Sequence, residues 1–264
     1  MNLKNLCDEV CALARSTGSY IRNEVNQLQS SRIETKSLHN FVTYVDKTSE
    51  KLLVDRLQEL LPQAGFIVEE DTLQKQGQEY LWVVDPLDGT TNFIHGVPVF
   101  SISIALMQHD EAILGVVYEI NRDECFWAIK GQGAWLNEKP IKVSSAPSVN
   151  DSLLATGFPY YDYQRLEQYL ELFTWCLRNS HGVRRLGSAA ADLAYVAAGR
   201  FDGFFEYSLS PWDVAAGSLL VSEAGGKVTD FSGTKNFIAA REIVATNPLI
   251  FDELLEKVKT AFKL

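Results

Sequence analysis

The chain has 264 residues, 46% hydrophobic and 22% charged, an ordinary globular composition that excludes disordered, collagen-like and disulfide-scaffold classes. At roughly 150 residues per domain, this length accommodates one large domain or two packed lobes. Its 24 basic and 34 acidic side chains give a net charge of −10, which opposes the phosphate backbone of nucleic acid, so no nucleic-acid partner is expected.

Over the first 26 residues, Leu3, Leu6, Val10, Leu13, Ala14, Ile21 and Val25 form an apolar stripe that predicts a helix. Charges interrupt this stretch, so no signal peptide is expected. No window approaches 18 consecutive apolar residues; no membrane association is expected, and the cytoplasm is the expected compartment. Cys7 and Cys11 share a helix face without a histidine near them and read as core residues, not metal ligands. A second helix is predicted from Asp46 to Leu61, on Leu52, Leu53, Leu57, Leu60 and Leu61, with Pro62 as its stop. Short apolar runs at Gly65–Val68, Tyr80–Val84, Ser101–Met107, Ala112–Tyr118 and Cys125–Ile129 predict strands, and Ser101 to Ile129 reads as an antiparallel meander. Gly131-Gln132-Gly133 turns into another short strand.

The Ser- and Pro-rich stretch Pro140–Asn150 suggests a boundary. It would divide an N-terminal lobe (1–145) with the main acidic motif from a C-terminal lobe (146–264) that completes the site, in one compact unit. Beyond it the pattern predicts a strand at Leu153–Thr156, a helix at Tyr163–Leu177 and a small-residue helix at Ser188–Ala198. A strand at Gly203–Glu206, a helix at Trp212–Glu223, strands at Lys227–Thr229 and Ile243–Thr246, and a helix after Pro248 follow. The fold class is therefore α+β or mixed α/β and layered; strand order is not legible.

The histidines His39, His95, His109 and His181 are isolated, with His95 worth watching because it follows Asn92 by three residues. Nucleophile elbows, a P-loop and a zinc-protease motif are missing. The informative stretch is Trp82-Val83-Val84-Asp85-Pro86-Leu87-Asp88-Gly89-Thr90-Thr91-Asn92-Phe93. Pro86 cannot donate to a ladder, so the strand is expected to end there. Gly89 permits a turn, and Thr90-Thr91-Asn92 offers side-chain caps for a helix start. Two carboxylates beside a phosphate-attracting helix start require divalent cations between them and the phosphate, and oxygen-only ligands suit Mg²⁺ or Mn²⁺. Glu69-Glu70-Asp71 stands at another strand's end, and Trp212-Asp213-Val214-Ala215-Ala216-Gly217 puts Asp213 in a first helical turn.

The two stretches Asp85–Asn92 and Trp212–Gly217, in that order, with an acidic pair 16 residues upstream of the first, resemble the signatures of the inositol monophosphatase family. These are Mg²⁺-dependent, Li⁺-sensitive sugar and inositol phosphatases. The resemblance implies a layered αβαβα sandwich of the sugar-phosphatase type and assigns residue roles by motif match. Glu69, Asp85, Asp88, Asp213 and the Leu87 carbonyl would be metal ligands. Asp46, Thr90 and Glu69 would be catalytic. Asp88, Gly89, Thr90, Gly187, Ser188, Ala189, Glu206 and Asp213 would touch substrate. Two departures from the family pattern are Val68 where glycine is usual before the acidic pair, and Ser188 in place of threonine. Four carboxylates and a phosphomonoester carry about −6, which three Mg²⁺ ions would offset; the resemblance implies two or three Mg²⁺ ions, with Mn²⁺ as substitute.

The implied reaction is hydrolysis of myo-inositol monophosphate, or a closely related phosphorylated polyol or sugar, by metal-activated water, in a homodimer. The alternatives are a histidinol-phosphatase of the same fold, a fructose-1,6-bisphosphatase, for whose second phosphate Arg184-Arg185 could supply a basic patch, and a non-catalytic, protein-binding regulatory member. A nucleotide bisphosphatase ranks last, because that branch has Lys-Glu where this chain has Thr91-Asn92.

Overall fold

The computed structural model describes residues 1–25, 27, 33–37, 40–70, 79–159 and 162–264. His39 and Asp71, named above, lie outside them. Helix α1 (Leu3–Glu24) starts on Asn2, whose side chain accepts from the Lys4 and Asn5 amides at 3.1 and 3.2 Å. A hairpin of β1 (Ile33–Ser37) and β2 (Asn40–Thr43), which periodicity did not signal, then delivers the chain to α2 (Tyr44–Leu60).

Seven strands follow in sequence order across one sheet: β3 (Gly65–Val68), β4 (Tyr80–Asp88), β5 (Ser101–Gln108), β6 (Glu111–Glu119), β7 (Glu124–Ile129), β8 (Ala134–Leu136) and β9 (Lys139–Ile141). Among the described residues of this sheet only the β3–β4 pair is parallel, and the expected meander lies within the antiparallel remainder. Strand period two buries both faces. Ile102, Ile104 and Leu106 of β5 pack with α1 and α2, while Ala105 and Met107 join the core on the other side.

That second core belongs to α5 (Ala189–Ala197) and α6 (Pro211–Glu223), whose Ala-rich surfaces fit between the first sheet and a second. The second sheet contains β10 (Leu153–Thr156), β11 (Gly182–Arg184), β12 (Gly203–Tyr207), β13 (Lys227–Thr229) and β14 (Glu242–Thr246) in the order β11-β10-β12-β14-β13, with β10 parallel to both neighbours. Phe204 of β12 faces α5 and α6, whereas Phe205 and Tyr207 face the outer helices α4 (Leu166–Asn179) and α8 (Phe251–Phe262). The layers therefore run α, β, α, β, α, a mixed α/β sandwich. The short helices α3 (Thr90–His95) and α7 (Phe237–Ala240) and a 3-10 turn at Val149–Asp151 complete the described elements. No helix among the described residues is long and apolar enough to cross a membrane.

One expectation fails inside β4. The strand does not stop at Pro86 but continues to Asp88, with Asp85 paired to Ser103 and Asp88 to Ser101. Three steps on β4 thus match two on β5, so the chain inserts one extra residue as a bulge. Proline needs no ladder donor there, and the bulge turns the strand end without ending it.

Candidate metal and phosphate site

Helix α2 begins in a reciprocal cap. The Thr43 amide and hydroxyl both donate to Asp46 Oδ2, at 2.8 and 2.5 Å. The other oxygen, Oδ1, accepts from the Thr90 hydroxyl at 2.9 Å, which ties the start of α2 to the start of α3. Asp46 is fully buried, and that burial raises its carboxyl above the usual range although the Thr43 and Thr90 donors oppose the rise. The Thr90 hydroxyl also stands 3.1 Å from the Leu87 carbonyl. The expected hydroxyl and amide caps on α3 are absent: its N-cap is Gly89, with no side-chain cap bond, and Thr90 points its hydroxyl to Asp46 instead. At φ +96°, Gly89 sits in the left-handed region, and a Cβ there would lie 3.1 Å from the Val99 carbonyl, so both conformation and space demand glycine.

Asp85, Asp88 and Asp213 converge, each offering an oxygen within 4.8 Å of the others. In each, one oxygen is anchored by protein. Asp85 Oδ1 accepts from the Leu87 amide at 2.9 Å, and Asp213 Oδ2 from the Ser210 amide at 2.6 Å. Asp88 Oδ2 accepts from the Ser188 hydroxyl and the Ala190 amide, at 2.7 and 2.8 Å, at the first turn of α5. Ser188 in turn caps α5 through the Ala191 amide. Asn92 joins the same two regions, its side-chain amide reaching the Val99 and Leu186 carbonyls at 2.7 Å each. Strand β4 thus carries two of the acids and α6 the third, and the start of α5 anchors Asp88.

Electrostatics show how much this arrangement costs without a cation. Burial raises the Asp85 carboxyl well above the usual range, and the charges of Glu69, Asp88 and Asp213 add to it. Asp213 is raised by burial and then by Asp88. Asp88 is pushed up to about 6 by burial, with Ser188, the Ala190 amide and the Arg185 charge opposing. Glu69, just past the end of β3, lines the same cavity but is not part of the compact triad. All these donors are oxygens, and no His or Cys lines the cavity among the described residues, so the set fits a hard divalent cation rather than zinc.

The cavity, about 180 Å³, is lined by Gly89, Thr90, Gly187, Ser188, Ala189 and Glu206 as well as by Glu69, Asp88 and Asp213. Asp85 and Leu87 are buried and do not line it; Asp85 reaches the site through the triad, and the Leu87 carbonyl through the Thr90 hydroxyl. Of the residues singled out from the sequence, Glu69, Asp88, Gly89, Thr90, Gly187, Ser188, Ala189, Glu206 and Asp213 line the cavity, and Asp46 is joined to it through Thr90. His95, His109 and His181 are exposed and away from it, Cys7 is buried in the first core, and Arg184 is exposed while Arg185 lines the cavity. Sequence reading missed Thr43, Gly157 and Asp192. The spacing Thr43-x-x-Asp46 was a legible capping box, and Asp192 is the one acid in an Ala-rich helix.

The profile of the inositol monophosphatase family matches residues 2–262, and the chain belongs to that family. Among curated relatives, the Nus factor SuhB of Pseudomonas aeruginosa is 43% identical over 251 residues, covering 93% of each chain. That of Escherichia coli K12 is 42% identical and covers 93% of this chain and 92% of its own. Among solved structures, the Thermotoga maritima IMPase superposes with a TM-score of 0.90 at 33% identity, covering 98% of each chain.

Proposed function

We propose that the chain is a divalent-cation-dependent phosphomonoesterase acting on myo-inositol monophosphate or a closely related sugar phosphate. The observation that carries this reading is the convergence of Asp85 and Asp88 from β4 and Asp213 from α6, with their oxygens gathered beside the Thr90–Asp46 pair. Asp85, Asp88, Asp213, Glu69 and the Leu87 carbonyl would hold the cations, Mg²⁺ in two or three ions with Mn²⁺ as substitute. When bound, they supply positive charge at the phosphoryl oxygens and Lewis acidity toward water.

The protein's own groups then act on a proton. Thr90 donates to Asp46, so the Thr90 oxygen is left to accept from an attacking water, and the proton can pass along the same hydrogen bond to Asp46. Burial suits Asp46 to that end of the relay, because it favours the protonated carboxyl. Ser188 and the α5 amide hold Asp88 in place, while Gly187, Ser188, Ala189 and Glu206 bound the space for the leaving group. Lithium sensitivity and a homodimer complete the reading on the family resemblance.

Phosphate release from myo-inositol 1-phosphate tests it. Release should require Mg²⁺ and fall with added Li⁺. Asp88→Asn should lower kcat by about 100-fold or more, equivalent to about 2.7 kcal/mol, with unfolding still cooperative. Undiminished turnover in Asp88→Asn removes the cation assignment.

A second reading has its own observation: the relatives at 41–43% identity are named Nus factor SuhB or putative Nus factor SuhB. A regulatory, protein-binding role is favoured if no sugar or polyol phosphate is turned over in that assay. A fructose-bisphosphatase or histidinol-phosphatase would show itself by preferring its own substrate to the inositol ester.

A further inference from the structure

The cavity wall contains a charged side chain that the reading above leaves unused. Asp192, in the opening turns of α5, is 1% exposed and lines the cavity, and its Oδ1 has no hydrogen-bond partner among the described residues. A buried carboxylate oxygen without a donor bears its full desolvation cost, and native proteins keep few of them. Its neighbours Ala189, Ala190, Ala191 and Leu193 are buried and apolar, so packing alone would be served by another alanine or leucine. Burial, then the charges of Glu206 and Asp88, raise Asp192 well above the usual carboxyl range.

Glu206, 8% exposed, lines the same space. Its position excludes any side chain at residue 157, where a Cβ would lie 1.9 Å from the Glu206 carboxyl carbon. Apart from the carboxylates assigned to cations, the charged groups of the described wall are Asp192, Glu206 and Arg185. Two acids against one guanidinium disfavour a second phosphate. They favour neutral hydroxyls, which donate to carboxylates in short, charge-assisted bonds.

We propose that Asp192 is a specificity-determining residue: with Glu206 it receives adjacent hydroxyls of a neutral cyclic polyol whose phosphate lies at the Asp85–Asp88–Asp213 triad. This rests on the phosphatase reading and adds to it a residue, Asp192, that selects the leaving group. The unpartnered oxygen is then satisfied by substrate and strained only in the free protein, the trade between stability and function seen at binding sites.

The test compares the natural chain with Asp192→Ala and Asp192→Asn in four measurements. These are kcat/KM for myo-inositol 1-phosphate, for 4-nitrophenyl phosphate (a leaving group without hydroxyls) and for fructose 1,6-bisphosphate, and calorimetric binding of myo-inositol 1-phosphate and inorganic phosphate in Ca²⁺. Thermal unfolding accompanies them. Asp192→Ala should lose at least about 10-fold on the inositol ester in both turnover and binding, less than about twofold on nitrophenyl phosphate and inorganic phosphate, and no melting temperature. Asp192→Asn, which keeps shape and one acceptor, should lose less and covers the case in which the alanine variant fails to fold. Equal losses on all ligands, no loss on the inositol ester, a lowered melting temperature in both variants, or a natural preference for the bisphosphate would each overturn the proposal. If the natural chain turns over none of these esters yet binds the inositol ester through Asp192, the phosphatase reading fails and the subsite stands. If it binds no polyol phosphate at all, both fail.

Discussion

Gly157 and Glu206 share a volume that admits only one of them having a side chain. A methyl group at 157 would lie 1.9 Å from the Glu206 carboxyl carbon, and both residues are buried, so the glutamate has little space into which to retreat. Gly157→Ala is expected to displace Glu206 and to lower stability by about 1–3 kcal/mol, the usual cost of overpacking. Denaturant unfolding and kcat/KM for myo-inositol 1-phosphate check this, with KM rising more than kcat falls; a variant with the natural KM would show that Glu206 does not face the substrate. The acids at 85, 88 and 213 were legible in the sequence because each sits in a local motif with a turn or cap beside it. Asp192 was not, since one acid in a run of alanines looks like an exposed helix position until the packing of α5 against α6 and the first sheet shows that no face of that helix is open.

At the scale of elements, helix starts position this site. Helix α2 is capped by Thr43, and the capping carboxylate, Asp46, also receives Thr90; α6 starts on Ser210 with Asp213 as the reciprocal partner. Loss of the Thr43 hydroxyl should therefore affect stability and function together. Thr43→Ala is expected to cost about 0.5–2 kcal/mol of unfolding free energy and to lower kcat, because Asp46 loses one of its anchors, whereas Thr43→Ser should restore both. Equal behaviour of the alanine and serine variants would argue that the hydroxyl has no role. Periodicity located the helices and most strands, since apolar stripes reflect burial directly. It could not reveal the β1–β2 hairpin, the three-residue β11 or the bulge in β4, where backbone pairing decides the outcome and Pro86 gave a misleading stop. Strand order was equally hidden, because β11-β10-β12-β14-β13 is set by which surfaces α4, α5, α6 and α8 cover.

At the scale of the whole molecule, five layers hold an excess of buried negative charge in one place, and its protonation must be linked to stability. Asp85, Asp88, Asp192, Glu206 and Asp213 all have carboxyls raised by burial, Asp88 from 3.8 to about 6. A carboxyl raised in the folded state binds protons that the unfolded chain has already released. Without cations, unfolding free energy therefore falls as pH rises above the unfolded value near 4, through about 6 for Asp88 and further for the more deeply buried acids. Lowered groups work in the opposite direction, but Glu111, paired with Lys130, is at the surface and contributes little. Chelator-treated protein is expected to melt at a higher temperature at pH 5 than at pH 7.5. Added Mg²⁺ should reverse the order, because the cation binds the deprotonated acids and its stabilisation grows as protons leave them. Asp88→Asn should flatten the slope of the cation-free protein between pH 4 and 6 and shrink the Mg²⁺ response at pH 7.5. Calorimetric melts at both pH values, with chelator and with Mg²⁺, read all of this, and a Mg²⁺ shift of equal size at pH 5 and pH 7.5 would separate cation binding from these carboxylates.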